Sequence, residues 1–270
     1  MAKQLNTFGF VGGGAMGGAI ARGLVERGAL EASQVAVADP SEQVRTAFGE
    51  LGVSCFASGS EMVGAFDPDV VVIAVKPQVL PGVVAPLAES LRGRLVVSIA
   101  AGVKIATLEG LMPEVRVVRC MPNLPMQVAS GAVAITKGTL ATDEDVAPIQ
   151  ELLSHLAVAR VMREDQLDVA GVVTGCSPAF FALFVDCLTR AGVEAGLPSA
   201  DCREMVESTM RGVAEQLLSS GDHPRSYMER VSSPGGTTIK ATRALEPDLF
   251  LATCDAVDAA LARTRELAGE

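Results

Sequence analysis

Three glycines near the start of the chain give the first sign of chemistry. Phe8-Gly9-Phe10-Val11 is a short β-rich run that leads straight into Gly12-Gly13-Gly14-Ala15-Met16-Gly17, and a helical run follows from Ala19 to Glu26. Gly12, Gly14 and Gly17 spell G-x-G-x-x-G at a strand–turn–helix junction, the setting in which this spacing binds a dinucleotide. Gly12 permits the tight turn, Gly14 lets the backbone approach a pyrophosphate, and Gly17 allows helix and strand to pack closely. The N-terminus of that helix offers free N–H groups and the positive end of its dipole to phosphates. A second β-rich run ends in Asp39, about 20 residues past Gly17, where a carboxylate suits the adenosine ribose hydroxyls. Asp39 would repel a 2′-phosphate, whereas Ser41 and Arg45 would hold one if Asp39 turned away. The sequence therefore admits NADPH or NADH. A merely structural glycine-rich turn is the plain alternative.

Other β-rich runs end in residues suited to the rest of such a site, because ligands of these sheets lie at the strands' carboxyl ends. One ends Ala74-Val75-Lys76-Pro77, the next Ser98-Ile99-Ala100-Ala101-Gly102, and a third Arg119-Cys120-Met121-Pro122-Asn123-Leu124-Pro125. Small Ala100 and Ala101 leave room for a flat ring. Lys76 is placed to contact a phosphate, a ribose or a substrate carboxylate; otherwise it is a solvated surface lysine. Asn123 between two prolines is a rigid polar point, or simply a turn residue. Far along the chain, Ser232-Ser233-Pro234-Gly235-Gly236-Thr237-Thr238-Ile239-Lys240 reads as a Pro-Gly-Gly turn opening a helix. Its free N–H groups and two hydroxyls make a nest for a carboxylate, against the simpler reading of a loop with a threonine cap.

These residues need a scaffold, and the alternation of short β-rich and helical runs supplies one. The β-rich runs are Thr7–Val11, Val35–Ala38, Val70–Val75, Leu95–Ile99 and Val115–Met121, with weaker ones at Ala132–Ile135 and Val158–Met162. Several are apolar throughout, as strands buried on both faces should be. Right-handed crossovers would wind them into a doubly wound parallel sheet of the Rossmann type. After about Arg163 the β-rich runs stop. Phe181, Phe184, Leu188, Ala191 and Ala195 then recur at helical spacing, as do Val206, Met210, Val213 and Leu217, and Phe250, Cys254, Val257 and Leu261. The expectation is α/β followed by all-α: residues 1–163 as the dinucleotide-binding domain and 164–270 as a helical one. Its apolar stripes are numerous for so small a bundle, so some face either another subunit or the bundle's own core.

Composition narrows the partners. The net charge of −10 argues against a broad nucleic-acid surface, which needs clustered Lys and Arg. No uninterrupted apolar run approaches the ~18 residues that span a bilayer, Val70 to Val75 being the densest, and the N-terminus lacks the apolar region of a signal peptide. A cytoplasmic protein with six reduced cysteines is expected. None of the six forms a C-x-x-C pair and only two histidines are present, so no metal site is expected.

The G-x-G-x-M-G opening, Val75-Lys76-Pro77, Ser98-Ile99-Ala100-Ala101-Gly102, Arg119-Cys120-Met121-Pro122-Asn123 and Val231-Ser232-Ser233-Pro234-Gly235-Gly236-Thr237-Thr238 together resemble the pyrroline-5-carboxylate reductase family, in the right order along nearly the whole chain. The Ser-Ser-Pro-Gly-Gly-Thr-Thr segment is the most specific of these and the glycine-rich turn the least. The resemblance implies a Rossmann domain and a helical domain that dimerises by interlocking helices, often into larger rings. It implies that Gly12, Gly14, Ala15, Met16, Gly17, Val75, Lys76 and Ala100 line the dinucleotide. It assigns Ser233, Gly236, Thr237 and Thr238 to the substrate's carboxylate and ring nitrogen, and Glu164 to a place near the substrate. With Asp39, Ser41, Ala74, Pro77, Ala101 and Asn123 these complete the candidate set, Thr238 and Lys76 being the candidate catalytic residues. Some positions depart from the family pattern: Thr174-Gly175-Cys176-Ser177 carries a serine for a glycine, Asp186 stands for a common Glu, Gly221 lies where many members have Glu, and Arg230 where others have Asn.

The reaction so implied is hydride transfer to the C=N carbon of a cyclic imino acid, the last step of proline synthesis. A protonated imine is already electrophilic and needs no strong base, in keeping with His155 and His223 lying outside every candidate segment. Two other imino-acid or dinucleotide readings stay open: reduction of a different cyclic imino acid, and a paralogue that binds dinucleotide without turnover. A β-hydroxyacid dehydrogenase would need a lysine that Thr174-Gly175-Cys176-Ser177-Pro178 does not offer.

Overall fold

The computed structural model describes residues 5–268, in two units. One unit holds the residues up to Gly175 together with those from Leu261 onward, and the other is Cys176–Ala260.

The first unit is built on a sheet of β1 (Phe8–Val11), β2 (Val35–Ala38), β3 (Ser54–Phe56), β4 (Val70–Ile73), β5 (Leu95–Ser98), β6 (Arg116–Pro122), β7 (Gly131–Lys137) and β8 (Ala157–Val161). The strands lie in the order β3-β2-β1-β4-β5-β6-β7-β8. The first six follow the dinucleotide-binding arrangement, in which the strand order reverses between β1 and β4. Helices α1 (Ala15–Glu26), α2 (Glu42–Gly49), α3 (Gly59–Phe66), α4 (Leu80–Val84), α5 (Ala88–Leu91), α6 (Ile105–Leu111) and α7 (Asp143–Leu153) connect them.

The apolar strands sort their side chains to both faces. Val70, Val72, Leu95 and Val97 join one buried cluster with Ile20 and Leu24 of α1. Their neighbours Val71, Ile73 and Val96 join a second with Met62, Leu87, Leu91 and Leu108. Period-two alternation between two covered faces explains why these runs carry no polar side.

Three expectations change. β3 falls outside the expected runs; its Ser54, Cys55 and Phe56 are only half-buried at the sheet's edge, so no apolar run marked it. β7 pairs antiparallel with β6, while β8 pairs parallel with β7. The link from Pro122 to Gly131 is too short for the crossover of a dozen or more residues that a parallel pair requires. The third concerns α8 (Glu164–Glu194), which contains an 18-residue window with mean hydropathy 1.7 and is long and apolar enough to cross a membrane by length and composition. Glycines and hydroxyl residues such as Thr174, Gly175 and Ser177 interrupt its apolar runs without adding charge, so no continuous apolar run marks it in the sequence.

The boundary expected at residue 163 falls at the start of α8, which runs on through Gly175 into the second unit. Then follow α9 (Ser199–Ser220), α10 (Pro224–Arg230) and α11 (Thr237–Ala268), and no strand occurs among the described residues after β8. Cys202 and Thr189 are buried in the second unit, but Phe181, Leu183, Phe250 and Leu251 are each at least 59% exposed. Apolar stripes at helical spacing are present, yet these side chains face outward in a single chain.

A candidate dinucleotide-binding site

At the reversal point each glycine of the first turn meets a different constraint. Gly12 has φ +104°, and a Cβ there would lie 2.6 Å from the Ala74 carbonyl oxygen. A Cβ on Gly17 would lie 2.4 Å from the Gly12 carbonyl oxygen and 2.5 Å from the Ala74 Cβ. Those two positions hold α1 against β1 and the end of β4. At Gly14 a Cβ would meet nothing within 4 Å, so this glycine faces open space at the N-terminus of α1. No side chain caps that helix end. Free N–H groups beside open space are what a pyrophosphate requires, and the residues present fit a dinucleotide.

The neighbouring strand ends converge on this turn. The Gly12 N–H donates to the Ala38 carbonyl at 2.8 Å, and the Ala74 N–H to that of Val11 at 2.9 Å. Val75 packs beside Gly12. Lys76 is exposed just past β4, with Pro77 half-buried after it. Ala100 is buried and Ala101 exposed after β5, and the Ala100 N–H reaches the Ser98 hydroxyl at 3.4 Å. Ala15, a helix residue of the first turn, is exposed, and Met16 packs against the core on the α1 side.

Asp39 is tied in place. One carboxylate oxygen accepts the Gly13 N–H and the other the Ser41 N–H, both at 2.9 Å. Ser41 caps α2, its hydroxyl accepting from the Val44 N–H. Arg45 donates to the carbonyls of Asp39 and Pro40, each at 2.8 Å. Asn123 is buried with both ends of its carboxamide engaged: Oδ1 accepts from the Ala132 N–H at 2.8 Å and Nδ2 donates to the Thr174 carbonyl at 3.0 Å. It pins the β6–β7 link to α8.

Glu164 belongs to a cluster that the sequence reading did not anticipate. Its carboxylate accepts the Ile105 N–H at 2.7 Å and an Arg119 N–H at 3.0 Å, while Asp168 accepts from Arg119 at 2.7 Å. Arg119 is 1% exposed and its Nε has no partner. The signal was present: an arginine inside the apolar strand Val117-Val118-Arg119-Cys120 must find acids, and Glu164 and Asp168 share one helix face.

Ser233, Gly236, Thr237 and Thr238 lie in the second unit. Gly235 has φ +72°, and a Cβ on Gly236 would lie 2.4 Å from the Ser233 hydroxyl. The turn opens α11 at Thr237, as its sequence predicts, with Ser233, Thr237 and Thr238 exposed. Two departures from the family pattern have local causes. Gly221 ends α9 at φ +67°, a left-handed cap that glycine favours, and Arg230 ion-pairs with Asp222 and stacks on Tyr227.

Comparison with known proteins fits this geometry. Residues 7–102 match the model described as NADP oxidoreductase, coenzyme F420-dependent, and residues 164–267 match pyrroline-5-carboxylate reductase dimerisation. Pyrroline-5-carboxylate reductase 3 of Macaca fascicularis is 36% identical over 96% of this chain and 95% of its own length. The chain belongs to the pyrroline-5-carboxylate reductase family. Among solved members of that family, the Coxiella burnetii structure aligns with TM-score 0.92 at 28% identity, covering 98% of this chain and 99% of that one. The Plasmodium falciparum enzyme, solved with NADP bound, aligns with TM-score 0.84 at 27% identity over 99% of both chains.

Proposed function

We propose that this chain reduces the C=N bond of 1-pyrroline-5-carboxylate to L-proline with NADH or NADPH. The observation that carries the reading is the turn at the sheet's reversal point, in a chain similar to reductases of that name over nearly its full length. Gly12 and Gly17 shape the turn, and Gly14 with the first N–H groups of α1, at Ala15 and Met16, holds the pyrophosphate. Asp39 and Ser41 flank the adenosine ribose; Ala74, Val75, Lys76, Pro77, Ala100 and Ala101 border the nicotinamide half. The bound nicotinamide supplies the hydride.

The chain's own residues hold the other reactant. The N-terminus of α11, at Thr237, binds the substrate carboxylate together with the Ser233 hydroxyl, while Gly236, whose own N–H donates to the Ser233 carbonyl at 3.0 Å, shapes the turn beside it. Thr238 hydrogen-bonds the ring nitrogen and helps deliver its proton. Glu164, held by Arg119, is the acidic residue assigned to the substrate, and Asn123 is a rigid corner after β6. Fixing the two reactants at near-attack distance supplies most of the catalysis, a contribution of several kcal/mol.

The same reading takes residues 1–163 as the cofactor domain and 164–270 as the substrate and assembly domain. The outward-facing apolar residues of α8 and α11 then bury against another subunit, which also accounts for the membrane-like hydropathy of α8. Six unpaired cysteines support a reducing, cytoplasmic setting. The decisive test follows absorbance at 340 nm with purified protein, pyrroline-5-carboxylate and either NADH or NADPH. Oxidation that requires the imino acid supports the reaction; no turnover with either cofactor would overturn it.

A further inference from the structure

We propose that this reductase prefers NADH over NADPH and that Asp39 sets the preference, an inference that rests on the dinucleotide reading of the first turn. The fold leaves this choice open, since the same architecture holds NADP in the Plasmodium falciparum enzyme. The end of β2 in this chain decides it.

A 2′-phosphate brings a charge of about −2 and needs donors at that strand end. Two of the backbone donors there already serve the Asp39 carboxylate, the N–H groups of Gly13 and Ser41, at 2.9 Å each. The Arg45 guanidinium turns toward the carbonyls of Asp39 and Pro40. The Ser41 hydroxyl accepts the Val44 N–H as the cap of α2. Glu42 occupies the first turn of that helix, adding a second negative charge where the dipole would otherwise attract an anion.

Binding of a 2′-phosphate by Ser41 and Arg45 would require Asp39 to turn away. Two backbone hydrogen bonds hold Asp39 against that movement, and Asp39 is half-buried. A neutral ribose diol fits the same position well, because its hydroxyls donate to lone pairs left on the carboxylate.

The test compares 5′-AMP with 2′,5′-ADP in calorimetric titrations of the unmodified protein, alongside kcat/KM for NADH and NADPH. Tighter binding of 5′-AMP by roughly tenfold or more, with kcat/KM favouring NADH by a similar factor, is the expected result for one uncompensated charge contact at a partly exposed site. The gap should narrow as salt rises, since the contact is partly screened. Equal or tighter binding of 2′,5′-ADP overturns the proposal. If no imino acid is reduced but the 5′-AMP preference persists, the reaction assigned above fails while this inference stands. Asp39→Ser frees both N–H groups and removes the charge, so it should raise the affinity for 2′,5′-ADP relative to 5′-AMP at least tenfold. An unchanged ratio in a folded Asp39→Ser protein would assign the preference elsewhere and overturn the role of Asp39.

Discussion

Arg119 carries a charge in the middle of a buried strand, and two acids from one helix answer it. Glu164 and Asp168 remain about 30% exposed while Arg119 is 1% exposed, so the arginine bears most of the desolvation. Replacing it with methionine leaves two carboxylates facing an apolar strand. Arg119→Met should destabilise the protein by about 1–2 kcal/mol, read from urea unfolding, because two part-solvated like charges lose their shared counterion while the desolvation of the arginine itself is relieved. Glu164→Gln keeps an acceptor for the Ile105 N–H and should cost less; an equal loss would refute this account of the cluster. Next to Arg119 on the strand, Cys120 is buried and its thiol is pushed up to about 12 by that burial. At pH 7 it stays protonated and unreactive, so maleimide should leave Cys120 unlabelled in the folded protein and label it after denaturation. Labelling of folded protein at Cys120 would contradict the burial.

The glycine turn and α1 act as one element, and the three glycines separate its two tasks. Gly17→Ala drives a Cβ into the Gly12 carbonyl and the Ala74 side chain, so it should cost roughly 1–3 kcal/mol of stability as well as cofactor affinity. Gly14→Ala meets nothing in the protein, and its extended backbone is one that alanine adopts without strain, at the small cost of a poorer N-cap. It should leave the melting temperature within a few degrees of the parent while weakening NADH binding at least tenfold, measured by fluorescence titration. Unchanged NADH affinity in Gly14→Ala would remove the pyrophosphate from that helix end.

The helices after β8 bury little of their apolar surface within one chain. Leu183, Phe250 and Leu251 are 62%, 69% and 62% exposed, more than a stable solitary bundle of this length would leave. The assembly proposed above, through these faces, would make stability depend on protein concentration. Phe250→Glu should shift the protein toward a smaller species in light scattering and abolish that concentration dependence. An unchanged molar mass would place the contact on other residues.

Sequence periodicity alone determined much of this protein. Doubly buried strands announce themselves as unbroken valine and isoleucine, and G-x-G-x-x-G announces its turn because only glycine fits where Gly12 and Gly17 sit. The Pro-Gly-Gly opening of α11 was legible for the same local reason. Tertiary structure alone decided the rest. The direction of β7 follows from a link too short to cross over, and edge strand β3 has no apolar pattern to betray it. The partners of Arg119 lie on a helix beyond two further strands, at a separation that spacing rules do not reach. Asp39 was visible as a carboxylate at the right place, but whether it faces the turn or swings aside depends on the N–H groups of Gly13 and Ser41, which meet it only once β1 and β2 lie side by side.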